Sequence, residues 1–361
     1  MNKSRRARDP NLDLLRALAI SAVVVAHLVV MSPVHRPGVI AVIWAGQFGV
    51  DLFFVLSGWL IGGLYFREWQ TRGSVRPVSF ILRRAWRTVP PYYVALAAAW
   101  SAAHFFRNDH PPFSIGYLFF LQNYFGRLPF FAVSWSLCVE EHFYLVLPLL
   151  FCLLRKKLDR LGAFFFLALG VSPFCRCYFH DSPSIDVFDS SVFATHVHLD
   201  GLVIGVWAAW SRAFRPEGWT RLAAFGRTWA WLAAALLALV YWVPARLFYC
   251  IGYTYISVLL AMLLAACADR PALPGAATAW IRAIALTSYS VYLTHALVLQ
   301  AALRLSLALP AGREEVYYGL ALAGTAMAGA AFYFMVERPS IRWRDRIVPH
   351  LPERSADAIT P

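Results

Sequence analysis

Residues 12–31 read LDLLRALAISAVVVAHLVVM, a run whose interpretation fixes the class of the whole chain. The hydrocarbon core of a bilayer is about 30 Å thick and takes about 20 helical residues to cross. The run has that length, yet it carries Asp13, Arg16 and His27. At about 100° per residue these three fall within roughly a 60° arc, so they share one face. Arg16 and His27 are separated by about 16 Å along the axis and cannot touch. Lys3, Arg5, Arg6 and Arg8 precede the run, as in a secretory leader. The apolar stretch is too long for a leader, contains charges and ends in Ser32-Pro33 without a small-residue cleavage pattern. It reads as an uncleaved first transmembrane helix.

The rest of the chain repeats this character. Of 361 residues 60% are hydrophobic and 15% charged, where a soluble domain carries about 25% charged. So few charges cannot cover a water-exposed surface, so the solvent is lipid. The 14 Trp and 16 Tyr suit membrane interfaces, and the 27 Phe suit the lipid-facing core. Spanning runs are expected at 12–31, 39–65, 89–106, 135–154, 161–179, 196–211, 228–244, 248–268, 281–303 and 315–336. A shorter apolar stretch at 114–125, between Pro-containing polar segments, is expected to be interfacial or re-entrant. The predicted fold is an all-α bundle of about ten transmembrane helices. Residues 1–345 read as one transmembrane domain, and 346–361 as a disordered cytoplasmic tail.

The net charge of +13 is not a nucleic-acid footprint, because it sits in short clusters between apolar runs. Of 33 Lys and Arg, 25 lie in alternate connecting segments beginning with the N-terminal one, and 6 lie in the intervening segments. Arg16 and Arg176 lie within the runs. This bias predicts ten spans with both termini in the cytoplasm. The six cysteines show neither zinc spacing nor a secreted disulfide framework, and no metal site is expected.

Ionisable groups in lipid are costly and are functional candidates. With this topology His27, Glu140, Glu141, His196, His198, Asp200 and His295 are all expected in the outer half, with Asp51 near mid-depth. Five helices then contribute polar groups largely at one level, which predicts one catalytic or binding centre. Arg83, Arg84 and Arg87 form a second cluster at the inner surface. It reads either as plain positive-inside anchoring or as a phosphate site, since guanidinium forks donate paired hydrogen bonds.

At these positions the chain resembles the membrane acyltransferase-3 family, O-acyltransferases of bacterial surface glycans and some small molecules. Six pieces carry the resemblance: Leu12-Asp13-Leu14-Leu15-Arg16 through His27; Gly49-Val50-Asp51-Leu52-Phe53-Phe54-Val55-Leu56-Ser57-Gly58; Arg84-Ala85-Trp86-Arg87; Trp135-Ser136-Leu137-Cys138-Val139-Glu140-Glu141-His142-Phe143-Tyr144; Ser288-Tyr289-Ser290-Val291-Tyr292-Leu293-Thr294-His295; and Glu337-Arg338-Pro339. The family's Arg-ten residues-His pattern falls on Arg16 and His27, its basic R-x-x-R motif on Arg84 and Arg87, and its paired glutamates on Glu140 and Glu141. The resemblance implies a ten-helix protein of the bacterial cytoplasmic membrane. Some members carry an added SGNH-type domain, for which this chain is expected to be too short.

These readings combine into a mechanism. Cytoplasmic acyl-CoA, expected to be acetyl-CoA, rests its phosphates on Arg84 and Arg87, with Arg16 and Arg83 in support. It is a co-substrate and not a resident cofactor. Its arm threads towards His27, which takes a proton from an acceptor hydroxyl. A carboxylate is expected beside the ring, Glu140 or Glu141 first and Asp200 or Asp51 next. Attack by His27 itself, giving an acyl-histidine, stays open. Tyr289, Tyr292 or His295 could steady the thioester oxyanion, Asp13 pairs with Arg16 at the helix entrance, and Ser57 serves packing, lacking a nucleophile elbow. The acceptor is a glycan, a lipid-linked sugar or a small molecule. The alternative is a polytopic proton-coupled transporter of an envelope precursor or metabolite, against which stands the lack of an inverted repeat. A non-catalytic scaffold or sensor is opposed by the intact Arg16, His27, Glu140 and Glu141.

Overall fold

A computed structural model describes residues 9–34, 39–106, 113–125, 128–154, 161–179, 193–239, 242–270, 277–310 and 312–348. Among the described residues there is no strand. The helices are α1 (Pro10–Val30), α2 (Val39–Arg72), α3 (Pro77–Phe106), α4 (Trp135–Leu153), α5 (Gly162–Phe179), α6 (Asp200–Phe214), α7 (Pro216–Leu239), the single turn α8 (Ala245–Leu247), α9 (Tyr253–Cys267), α10 (Ala277–Leu307), α11 (Arg313–Phe332) and α12 (Arg338–Ile347). π-helical turns lead into α9 (Phe248–Gly252) and join α11 to α12 (Tyr333–Glu337).

Six helical stretches are long and apolar enough to cross a membrane: Pro10–Val30, Ala45–Arg72, Ala132–Leu153, Phe248–Cys267, Thr278–Leu307 and Arg313–Ile347. They fall on six of the ten expected runs. The other four give α3, α5, α6 and α7. The basic first half of α3 dilutes its apolar character, α5 and α6 are short at 18 and 15 residues, and α7 carries Glu217, Arg221 and Arg227. Large side chains such as Phe166, Leu167, Phe174 and Trp231 stay exposed on the outside of the bundle. A surface of that kind belongs to a multi-pass membrane protein.

Several helices overrun their apolar cores. α3 begins at Pro77 and not near 89, and α2 continues to Arg72. Arg and Leu are good helix formers, so a helix continues after its sequence has left lipid. Within α3, Pro90 and Pro91 each remove a backbone donor. α12 runs to Ile347, into the segment expected to be a tail; residues 349–361 lie outside the described residues.

The stretch at 114–125 does not span. It forms 3-10 turns at Ile115–Phe119 and Gln122–Tyr124, laid against the middle of α3. Tyr92 and Tyr93 donate to the carbonyls of Tyr117 (2.8 Å) and Leu118 (2.6 Å). Gln122 donates to the Tyr92 hydroxyl and to Ser134, each at 3.1 Å. Side chains thereby satisfy backbone that no helix satisfies.

The tightest seam joins α2 to α6. A Cβ placed on Gly58 would lie 2.1 Å from the Leu202 carbonyl oxygen, and one on Gly205 2.2 Å from that of Val55. Only glycine permits such backbone contact, the usual device of packing in lipid.

Candidate active site

A cavity of about 120 Å³ opens among α1, α2, α3, α4 and α10. Its polar wall is Arg16, Ser57, Arg84, Arg87, Glu140 and Tyr144, and Ser288, Tyr289 and Tyr292 also line it. The residues form a chain. Tyr144 donates to Glu140 Oε2 at 2.8 Å, and Ser57 bonds the same hydroxyl. With the phenolic proton spent on Glu140, Ser57 is the donor of that second bond. The Arg84 guanidinium lies over the Tyr144 ring, 4.9 Å from its centre. Arg16 is tied to Asp13 at 2.6 Å, the helix-entrance pair that the sequence suggests, and still lines the cavity.

Glu140 and Glu141 therefore lie at the level of the arginines and not beside His27. Glu140 is within electrostatic reach of Arg84 and Arg87, and Glu141 lies against Thr88. The cause is the folded backbone of residues 113–125 and 128–134. It ties the start of α4, through Ser134 and Gln122, to Tyr92, only five residues beyond Arg87. That is about 7.5 Å of helix. α4 thus starts deep, and the turn bearing the two glutamates comes down to the basic residues.

Beyond Tyr292 the cavity gives way to two histidines. The Tyr292 and His295 ring centres are 5.7 Å apart, and those of His295 and His27 are 4.9 Å apart, edge to face. His27 Nδ1 lies 2.9 Å from the Val23 carbonyl oxygen, and His295 Nδ1 lies 2.8 Å from that of Tyr292. A carbonyl can only accept, so both rings carry the proton on Nδ1 and present Nε2 as a base. His295 is fully buried and its Nε2 has no partner. No carboxylate bonds His27 among the described residues. Backbone carbonyls one turn back set its tautomer, the task expected of Glu140, Glu141, Asp200 or Asp51. Above it, Tyr317 donates to the Leu28 carbonyl and seals α11 to α1.

The single expected centre thus separates into distinct clusters. Asp200 is engaged by Arg176 through two bonds of 2.8 and 3.2 Å. Arg176, fully buried, also donates to the carbonyls of Val197 and Cys250 and to Thr254. Asp51 sits near this pair, with Oδ2 unbonded, on the face of α2 turned from the cavity. His198 lies between Trp135 and Tyr253. These residues knit α5, α6 and α9 together. A periodicity argument fixes height within one helix, but not which neighbour that face meets.

Arg83 also has another occupation. It donates to Asp345 and to the Val348 carbonyl, while Ser340 donates to the Trp86 carbonyl, so α12 is latched onto α3. Tyr144 and Glu337 lie in the pieces that carry the resemblance, but no role was legible for either, nor for Arg176 as a hub, although a lone arginine in an apolar run was its signal. Glu337 is buried in a π-turn and accepts from Ser290 at 2.6 Å.

An acyltransferase domain family, acyltransferase-3, matches residues 9–336. The chain belongs to this family. Among curated relatives, the peptidoglycan O-acetyltransferase OatA of Listeria monocytogenes is 32% identical over 160 residues, 38% of this chain and 23% of its own length. The O-acetyltransferase OatA of Staphylococcus aureus (strain NCTC 8325 / PS 47) is 28% identical over 168 residues, 41% of this chain and 25% of its own. A Staphylococcus aureus (strain COL) protein provisionally named an O-acetyltransferase is 30% identical over 213 residues, 55% of this chain and 34% of its own. The chain spans about a third or less of the length of these relatives. No solved structure matches it.

Proposed function

We propose that the protein is an acyl-CoA-dependent O-acyltransferase of ten membrane spans. It moves an acetyl group from cytoplasmic acetyl-CoA to a hydroxyl of a cell-envelope glycan or small molecule on the far side of a bacterial cytoplasmic membrane. One observation carries this reading. An arginine-lined cavity leads inwards to Tyr292, and just past it stand two imidazoles whose Nε2 atoms are both bases.

In this mechanism Arg84 and Arg87, with Arg16, meet the donor's phosphates, and the acyl-pantetheine arm lies along the cavity. His27 Nε2 takes the proton of the acceptor hydroxyl. The alkoxide oxygen bonds to the thioester carbonyl carbon, the carbon–sulfur bond breaks, and the CoA thiolate recovers the proton. His295 offers the same proton a second lone pair, 4.9 Å away between ring centres, in a site where a bare imidazolium is expensive. General-base groups contribute about 10²–10⁴-fold. His27→Ala, assayed with radiolabelled acetyl-CoA in membranes holding the folded protein, should lose at least about 100-fold in acetyl transfer. Full activity in that variant would end the proposal.

A further inference from the structure

A second recess, about 540 Å³, opens between α1, α2 and α6 at the same end of the bundle as the cavity arginines, and the two share Arg16 and Leu60 in their walls. Nothing in the mechanism above uses it. Arg16, Arg67 and Arg212 line it, with Asp9 and Asp269 among them. Arg212 is held on one side by the Asp269 carboxylate and on the other lies over the Trp59 ring, 5.6 Å from its centre. Asp269 adopts a left-handed backbone at φ 62° and takes a second bond, 3.0 Å, from the Trp219 indole. Non-glycine residues occupy that conformation rarely, and here it aims the carboxylate that orients Arg212. Trp219 in turn stacks on Trp59 with ring centres 5.0 Å apart. Arg67 projects into the same recess, with no carboxylate paired to it among the described residues. Gly63 lies in the wall, and a Cβ added there meets nothing within 4 Å.

We infer that this recess receives the phosphorylated nucleoside end of the thioester donor, its ribose phosphate resting on Arg67 and Arg212, while the arm passes Arg16 into the cavity. The inference rests on the acyl-CoA reading above and deepens it. The cavity, about 120 Å³, is smaller than the adjoining recess, about 540 Å³, and Arg16 stands at the junction of the two. Paired guanidinium donors match phosphate geometry, and a flanking carboxylate and aromatic face keep Arg212 in place before the ligand arrives.

The test compares donors that differ only at the nucleotide end: acetyl-CoA, 3′-dephospho-acetyl-CoA and acetyl-pantetheine. Arg67→Ala removes an exposed side chain, and Gly63→Leu fills the recess while improving helix propensity, so both variants should fold. The expected result is a KM for acetyl-CoA raised about 10-fold by Arg67→Ala, with KM for the dephospho donor unchanged from wild type. Gly63→Leu should raise KM for both nucleotide donors and spare acetyl-pantetheine. Equal effects on all three donors, or none, would overturn the recess assignment while the acyl-CoA mechanism stands. If wild-type protein consumes no acetyl-CoA, the mechanism and the recess assignment fall together.

Discussion

Glu140 shows what one residue can and cannot disclose. Its type and its place in an apolar run mark it as functional, and it does line the cavity. Its partner was not legible. The expected neighbour was His27; the actual ones are Tyr144 and the arginine pair. Under the proposed mechanism this neighbourhood ties its role to the donor and not to the base. Glu140→Gln should change KM for acetyl-CoA, about 5-fold or more, while KM for the acceptor stays within 2-fold; a selective loss of acceptor binding would contradict this. Arg84→Ala and Arg87→Ala should share that donor-selective pattern. His27 was legible as a ring on a polar face, and it is half-buried. Its companion His295 was legible as a polar group at the same level, but not as a ring in contact with His27, because nothing in either helix reports that the two faces meet.

The elements were legible where hydropathy alone decides them. All-helical architecture and six of the apolar runs follow from composition and length. The depth of α4 did not, because it depends on a short segment that folds back on tyrosine and glutamine hydrogen bonds, which no periodicity encodes. The union of α5, α6 and α9 also escaped, although Arg176 stood in plain sight. Removing one partner of a buried ion pair costs about 3–5 kcal/mol, since the other charge stays behind. Arg176→Ala should leave Asp200 in that state and lower the melting temperature of detergent-solubilised protein sharply. Arg176→Ala/Asp200→Ala should recover part of the loss. A single variant as stable as wild type would show that the pair is not structural.

For the whole molecule, the distribution of basic residues is the basis of the proposed sidedness. The proposed ten spans with both ends cytoplasmic would put the end of α2 inside and the start of α11 outside. The six native cysteines are all unbridged, so a cysteine-free background is a reasonable starting point. Arg313→Cys in that background should react with a membrane-impermeant maleimide in spheroplasts of the host bacterium, and Arg72→Cys should react only after lysis. Labelling of both before lysis would break the topology, whatever the chemistry.

The glycine seam between α2 and α6 has a mechanical consequence. Where two backbones already touch, neither can yield. The opposite wall, α3 and α4, meets its neighbours through side-chain hydrogen bonds, such as Tyr289 to the Thr88 carbonyl and Ser340 to that of Trp86. A guest larger than the resting space is therefore expected to displace α3 and α4, which carry Arg84, Arg87 and Glu140, before it displaces α2 from α6. Under the proposed mechanism, loading the first substrate would then reshape the ground on which the second must land.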